Sequence, residues 1–110
     1  MSTNISTIAK NKDKIKIKKP KDYKVIMYND DYTTMDFVIR ILISIFNKNI
    51  IEAEKIMLDV HEKGNGVAGI YSYDVATTKV YLAIELAKQN DFPFKLTIEE
   101  AWKYESYWWS

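Results

Sequence analysis

The sequence predicts an α/β (α+β) fold: a small sandwich of a three-stranded, largely antiparallel sheet and three helices, in the order β-α-α-β-α-β, preceded by a flexible N-terminal arm. Three observations carry this. Short runs rich in β-branched and aromatic residues, at 23–28, 67–71 and 94–98, alternate with longer runs whose apolar residues recur at helical spacing. The first two helical runs are split only by the polar turn Asn47-Lys48-Asn49, so two helices fall between the first and second strands. With 110 residues, 47% hydrophobic and 28% charged, the chain supports one core and is too small for two.

Residues 1–22 are rich in Ser, Thr, Asn and Lys, with Met1, Ile5, Ile8, Ile15 and Ile17 as their large apolar residues. Seven lysines there (Lys10, Lys12, Lys14, Lys16, Lys18, Lys19 and Lys21) stand against Asp13 and Asp22, a local net charge of +5 within a whole-chain +1. Such a segment buries too little apolar surface to offset its ordering entropy, so a flexible arm is expected, either contacting a partner or solubilising the chain. No aromatic residues interleave with the lysines, which argues against nucleic-acid binding. Residues 23–101 form the expected core domain, mildly acidic, and 102–110 an aromatic extension.

The first strand, Tyr-Lys-Val-Ile-Met-Tyr at 23–28, delivers the chain into Asn29-Asp30-Asp31. Thr33 is the expected cap of the following helix, with Asp36 as the far half of a capping box, which leaves Asn29, Asp30 and Asp31 without an evident structural duty. Over 35–47, Asp36, Arg40 and Ser44 draw one polar stripe down an otherwise apolar helix, and Asp36 can pair with Arg40. A second helix over 51–63 ends at Gly64, a residue suited to a left-handed C-terminal cap. It carries Met57, Val60 and His61 on one face. That face is either core with a hydrogen-bonded histidine or one wall of a site. Gly64-Asn65-Gly66 forms a turn into the second strand, where Gly69 marks a bulge or a close approach. Ser72 or Asp74 caps a third helix running to about residue 90, with Lys79, Glu85 and Lys88 on its exposed face, and Asp91-Phe92-Pro93 breaks it before the third strand.

Several function classes are poorly supplied. The chain has no cysteine, hence no disulfide, thiolate metal ligand or cysteine nucleophile, and a reducing cytoplasmic compartment is compatible. Neither membrane spanning nor secretion is expected, because no apolar run is long enough and the N-terminus lacks an apolar signal core. The three glycines do not form a phosphate loop, and no serine stands in a nucleophile-elbow context. One histidine with two carboxylates is a thin donor set for a hydrolytic metal site. A binding site fits better than an active site. Two carboxylates and an Asn carbonyl favour a cation with several N–H donors, and a neutral imidazole can accept one more bond. A protonated α-amino group has this form. Met35, Val38, Met57 and Val60 can line an apolar pocket beside it, and an amine next to an apolar side chain is the start of a peptide.

The run Tyr23-Lys24-Val25-Ile26-Met27-Tyr28-Asn29-Asp30-Asp31-Tyr32-Thr33-Thr34-Met35-Asp36-Phe37-Val38, with Met57-Leu58-Asp59-Val60-His61 and Val75-Ala76-Thr77-Thr78-Lys79-Val80, closely resembles the Clp protease adaptor family, ClpS, in family order and spacing over about residues 23–101. The resemblance implies a protein that is no enzyme and uses no cofactor. It binds substrates with a destabilising N-terminal Leu, Phe, Tyr or Trp and hands them to a ClpA-type AAA+ unfoldase coupled to ClpP. It further implies that Asn29, Asp30 and His61 hold the α-amino group, that Asp31 and Thr33 shape the rim, and that Met35, Val38, Met57, Val60 and Phe94 line the side-chain pocket, with Met35 as a gate against β-branched residues. Asp74 and Lys79 match positions that dock on the unfoldase N-terminal domain, and the arm matches an extension that engages the unfoldase during hand-over.

Two departures stand out. The family usually has Pro where Thr34 stands, a change expected to leave the cap intact. The segment Trp102-Lys103-Tyr104-Glu105-Ser106-Tyr107-Trp108-Trp109-Ser110 runs past the usual family end with five aromatic residues in nine. It packs on the domain, meets another chain or engages a partner. The alternatives to an adaptor are a non-enzymatic bridging domain like the ribosomal stalk domain, whose fold the family resembles, and a small metal-dependent hydrolase using Asp30, Asp31 and His61.

Overall fold

Strand β1 (Asp22–Tyr28) is the middle of the sheet, and its two faces divide the molecule. The computed structural model describes residues 21–101. In it β1 pairs antiparallel with β2 (Asn65–Tyr71) on one side and with β3 (Lys95–Ala101) on the other, giving the order β2-β1-β3. Side chains alternate across a strand. Val25 and Met27 point to the helical side and are fully buried, opposite Ile98 and Leu96 of β3. The β1–β2 register slips between Val25, which faces Gly69, and Ile26, which faces Val67, so Ala68 is an extra residue on β2. The expected role of Gly69 is therefore met twice. It flanks the bulge, and a Cβ there would collide with the Tyr71 ring and hydroxyl.

Helix α1 (Met35–Ser44) buries Phe37, Val38, Ile41 and Leu42 and is shorter than the predicted 35–47. It stops early because Asn47 takes a left-handed backbone (φ 58°) and Lys48 N–H donates to Leu42 O, folding the chain back on the helix. The freed carbonyl of Ile45 accepts instead from the Lys79 ammonium. Asp36 and Arg40 form no ion pair; the last turn is tied by Ser44 Oγ donating to Arg40 O.

Helix α2 (Ile50–Lys63) starts one residue before the predicted boundary, at a full capping box. Asn49 accepts from Glu52 N–H while Glu52 accepts from Asn49 N–H. Gly64 ends it at φ +89°, a conformation that penalises any side chain. Helix α3 (Tyr73–Gln89) lies across the sheet through Ala76, Ala83 and Ala87, small residues that let helix and strands approach closely. Ser72 occupies its N-cap position without a side-chain hydrogen bond. The helices cover one face of the sheet, and the core between them centres on Val25, Met27, Ile41, Leu42 and Phe46.

The arm lies outside the described residues except for Lys21, which pairs with Glu100 at 3.0 Å, and Asp22, the first residue of β1. The aromatic extension lies outside them entirely. Among the described residues no helix is long and apolar enough to cross a membrane.

The Asn49 side chain supplies the acceptor of the α2 capping box, while the N–H that Glu52 accepts from belongs to the backbone and survives substitution. Asn49→Ala is expected to cost about 1 kcal/mol of stability, read as a lower urea midpoint at unchanged m-value. An unchanged midpoint would show that the box is not formed in solution.

Candidate functional site

The junction between β1 and α1 is held from both ends. Asn29 N–H donates to Gly64 O at 2.9 Å, which fastens the exit of β1 to the exit of α2. Because Gly64 is also the α2 cap, bonded through its own N–H to Val60 O, this contact sets the last turn of α2, and His61 with it, beside Asn29 and Asp30.

Within the junction Asp30 is the hub. Its Oδ1 accepts from Tyr32 N–H at 2.8 Å and Thr33 N–H at 2.7 Å, and its Oδ2 accepts from the Thr33 hydroxyl at 2.7 Å. Asp30 therefore has the structural duty that the sequence reading denied it. With the Thr33 hydroxyl committed to Asp30, the predicted Thr33 cap is replaced by Thr34, whose Oγ1 accepts from Phe37 N–H at 3.1 Å. Thr34 thus takes over the start of the helix by a route that Pro does not have. Partial burial pushes the Asp30 carboxyl up, but the bonds from the Thr33 N–H, the Thr33 hydroxyl and the Tyr32 N–H together outweigh it and hold the group below the ordinary carboxylate range. The carboxylate is ionised at neutral pH, and a carboxylate has about four acceptor positions, so Oδ2 keeps capacity for another donor.

Around this hub lies a cleft of about 390 Å³, lined by residues 29–35 with Val38 from α1 and Met57, Val60 and His61 from α2. Its volume is in the range of small-ligand sites, roughly 300–1,000 Å³. Val38, Met57 and Val60 form a buried apolar wall, whereas Met35 stands 46% exposed at the mouth. The His61 ring is exposed and makes no hydrogen bond to any described residue, so the hydrogen-bonded core histidine is not what is found. The side chains of Asn29 and Asp31 are likewise unengaged among the described residues. The cleft therefore combines a fixed charge, several polar side chains with unspent hydrogen-bonding capacity, and an apolar wall.

Nine of the residues singled out from sequence meet here: Asn29, Asp30, Asp31, Thr33, Met35, Val38, Met57, Val60 and His61. Phe94 does not reach the lining. It is buried edge-to-face on Phe37, with ring centroids 6.2 Å apart. Tyr32 and Thr34 line the cleft and were missed. Their place inside the Asp30-to-Met35 turn was the available signal. Among the described residues no three His, Asp or Glu side chains are grouped to hold a metal ion.

Asp74 and Lys79 lie in a separate groove between the end of α1 and the start of α3, with Ser44, Ile45, Asn47, Val75, Thr78 and Leu82. Asp74 is exposed, but Lys79 is not the free surface lysine expected. Its ammonium donates to Ile45 O at 2.5 Å and Asn47 Oδ1 at 2.8 Å and lies 5.3 Å from the Tyr71 ring centroid.

Residues 18–97 match the family model described as ATP-dependent Clp protease adaptor protein ClpS. The chain is 52% identical over 93 residues to the ClpS adapter of Acetivibrio thermocellus, covering 84% of this chain and 94% of that protein. With the ClpS adapter of Clostridium acetobutylicum it is 57% identical over 89 residues, 81% of this chain and 88% of that one. The structure of Agrobacterium tumefaciens ClpS2 bound to L-phenylalaninamide superposes with a TM-score of 0.71 at 35% identity, covering 74% of this chain and 99% of that one. Fold, sequence and cleft agree, and the chain belongs to the ClpS family of ATP-dependent Clp protease adaptors.

Proposed function

We propose that the cleft captures the N-terminal residue of substrate proteins, with a preference for Leu, Phe, Tyr and Trp, and that the chain delivers those proteins to a ClpA-type AAA+ unfoldase coupled to ClpP. One observation carries this reading: an ionised, hydrogen-bonded Asp30 shares one cleft with the apolar wall of Val38, Met57 and Val60, so a cation and a large apolar side chain are accommodated side by side. The α-amino group and side chain of an N-terminal residue meet both demands at once. The Agrobacterium relative is bound to L-phenylalaninamide, a free amine with a benzyl side chain and no carboxylate, which supports the same assignment here.

In this reading Asp30 Oδ2, the Asn29 side-chain carbonyl and a His61 ring nitrogen accept the amine protons. Asp31 and Thr33 shape the rim, Thr33 by holding Asp30 in place. Met35, Val38, Met57 and Val60 take the side chain, with Met35 closing over it from the mouth. Phe94 acts indirectly, by buttressing Phe37 at the first turns of α1. The groove carrying Asp74 and Lys79 receives the unfoldase N-terminal domain, Asp74 offering the free charge and Lys79 holding the α1 end that forms the other wall. The adaptor does no chemistry of its own and uses no cofactor.

A peptide with N-terminal Phe and a free amine is expected to bind, and the same peptide acetylated at that amine is expected to lose binding in calorimetry. Equal affinity for the two would end the amine-capture reading. Binding is expected to weaken on the alkaline side as the ligand amine loses its proton, at about pH 7.7–8.0 for an ordinary terminus. The Asp30 contribution to stability behaves oppositely. Its folded-state pKa is depressed, so that contribution is present at neutral pH and disappears only as the pH falls through the depressed value.

Asp30 has two duties, and two substitutions separate them. Asp30→Asn keeps an oxygen for the Tyr32 and Thr33 N–H groups while removing the charge. It is expected to fold normally and to lose about 1.5–3 kcal/mol of binding, the value of a hydrogen bond to a charged group. Asp30→Ala is expected to lose both affinity and stability. Wild-type affinity in Asp30→Asn would remove the charge from the site.

Met35→Ala is expected to open the mouth and admit peptides with N-terminal Val or Ile. Unchanged rejection of those residues in a peptide panel would count against the gate.

A further inference from the structure

The face of the sheet opposite the helices is not covered by any described element. Lys24, Ile26 and Tyr28 of β1 point to it, beside Val67 and Ile70 of β2 and Lys95, Thr97 and Glu99 of β3. Val67 and Ile70 are 41% and 55% exposed, whereas Ile26 between the two neighbouring strands is 9% exposed. The result is a ridge of exposed Val67 and Ile70 beside the buried Ile26, bordered by Lys24, Lys95 and Glu99. We infer that the aromatic segment 102–110 of the same chain folds back and covers this face.

Position, length and chemistry all favour that occupant. The chain leaves the sheet at Ala101, the last residue of edge strand β3, opposite Asp22 and therefore at the end of the sheet where Lys24 faces Ile70. Nine residues can span about 30 Å when extended, while three strands occupy only about 10 Å from the first to the third. The segment reaches the whole face after one reversal. Its composition, five aromatic residues in nine, matches an apolar ridge beside cations, because aromatic faces attract ammonium groups. Lys95 already makes such a contact on this face, its ammonium 4.9 Å from the Tyr28 ring centroid, and Tyr28 is fixed by its hydroxyl bond to Thr97 at 2.9 Å. The other segment that could reach the face is 1–20, which enters β1 at the same end. It brings four isoleucines but also six lysines toward Lys24 and Lys95 and no aromatic ring to meet their ammonium groups, so charge disfavours it. Tethering also favours an intrachain occupant, since a short linker gives an effective concentration in the millimolar range.

The sequence supplies its own reporter, because all three tryptophans of the chain, Trp102, Trp108 and Trp109, lie in this segment. Tryptophan emission of the full chain is expected to be blue-shifted from that of the free 102–110 peptide, with slower acrylamide quenching, at every protein concentration tested. Ile70→Lys and, separately, Val67→Lys are expected to return the emission and quenching toward those of the free peptide. Both positions are exposed, and far-UV circular dichroism verifies that each variant is folded. Ile51→Lys, on the exposed side of α2 at 77% exposure, is expected to change nothing. Emission equal to that of the free peptide in the full chain would overturn the inference. So would shielding that grows with protein concentration, which would mean a second copy. Shielding that survives both sheet-face substitutions would place the segment elsewhere and overturn it equally.

Discussion

The Asp30 carboxylate folds the turn that carries it. By accepting from Tyr32 N–H, Thr33 N–H and the Thr33 hydroxyl, it closes the chain into a loop between β1 and α1 and fixes where the helix begins. Those bonds keep the group ionised despite its partial burial. Structural order and the charge proposed for binding therefore come from one side chain. The loop is rigid because the carboxylate is satisfied on one side, and it can grip a cation because the other side retains an acceptor. The second anchor, Asn29 N–H to Gly64 O, sets that carboxylate against the last turn of α2, where His61 and the Met57–Val60 wall are found.

Much of this was legible in the sequence because its elements obey local rules. The 3.6-residue spacing of Met57, Val60 and His61 put them on one helix face, and Gly64 ended that helix as its left-handed backbone requires. The cleft could be assembled from those faces once the strand order was fixed. What escaped was set by competition among polar groups. Thr33 and Thr34 are equally good caps by type, and only the hydrogen bond from Thr33 to Asp30 decides between them. The early end of α1 is set by the left-handed Asn47 and the Lys48 N–H bond to Leu42 O, and the partner of the carbonyl this frees, Lys79, lies 34 residues beyond Ile45, where no local pattern announces it. Phe94, which the resemblance put on the pocket wall, is buried against Phe37 and is not among the residues that line the cleft.

Lys79 links the two halves of the proposed mechanism. Its ammonium ties the C-terminal end of α1 to α3, while the N-terminal end of α1, through Thr34, Met35 and Val38, forms part of the cleft proposed to take the peptide. One ten-residue helix thus borders both grooves. The Lys79 ammonium is thereby turned into the fold, and the groove proposed for the partner offers Asp74 beside exposed Val75 and Leu82. A partner surface with a basic group and an apolar side chain complements it.

The central claim is that Asn29, Asp30 and His61 jointly hold a protonated amine while the α1–α2 wall takes the side chain. A crystal structure of the chain with a peptide beginning in Phe tests this most directly. The account predicts the amine nitrogen within about 2.7–3.2 Å of acceptors on all three residues, with the phenyl ring against Val38, Met57 and Val60 beneath Met35. A peptide seated with its amine in solvent, or paired as an added strand along the free edge of β2 or β3, would contradict it.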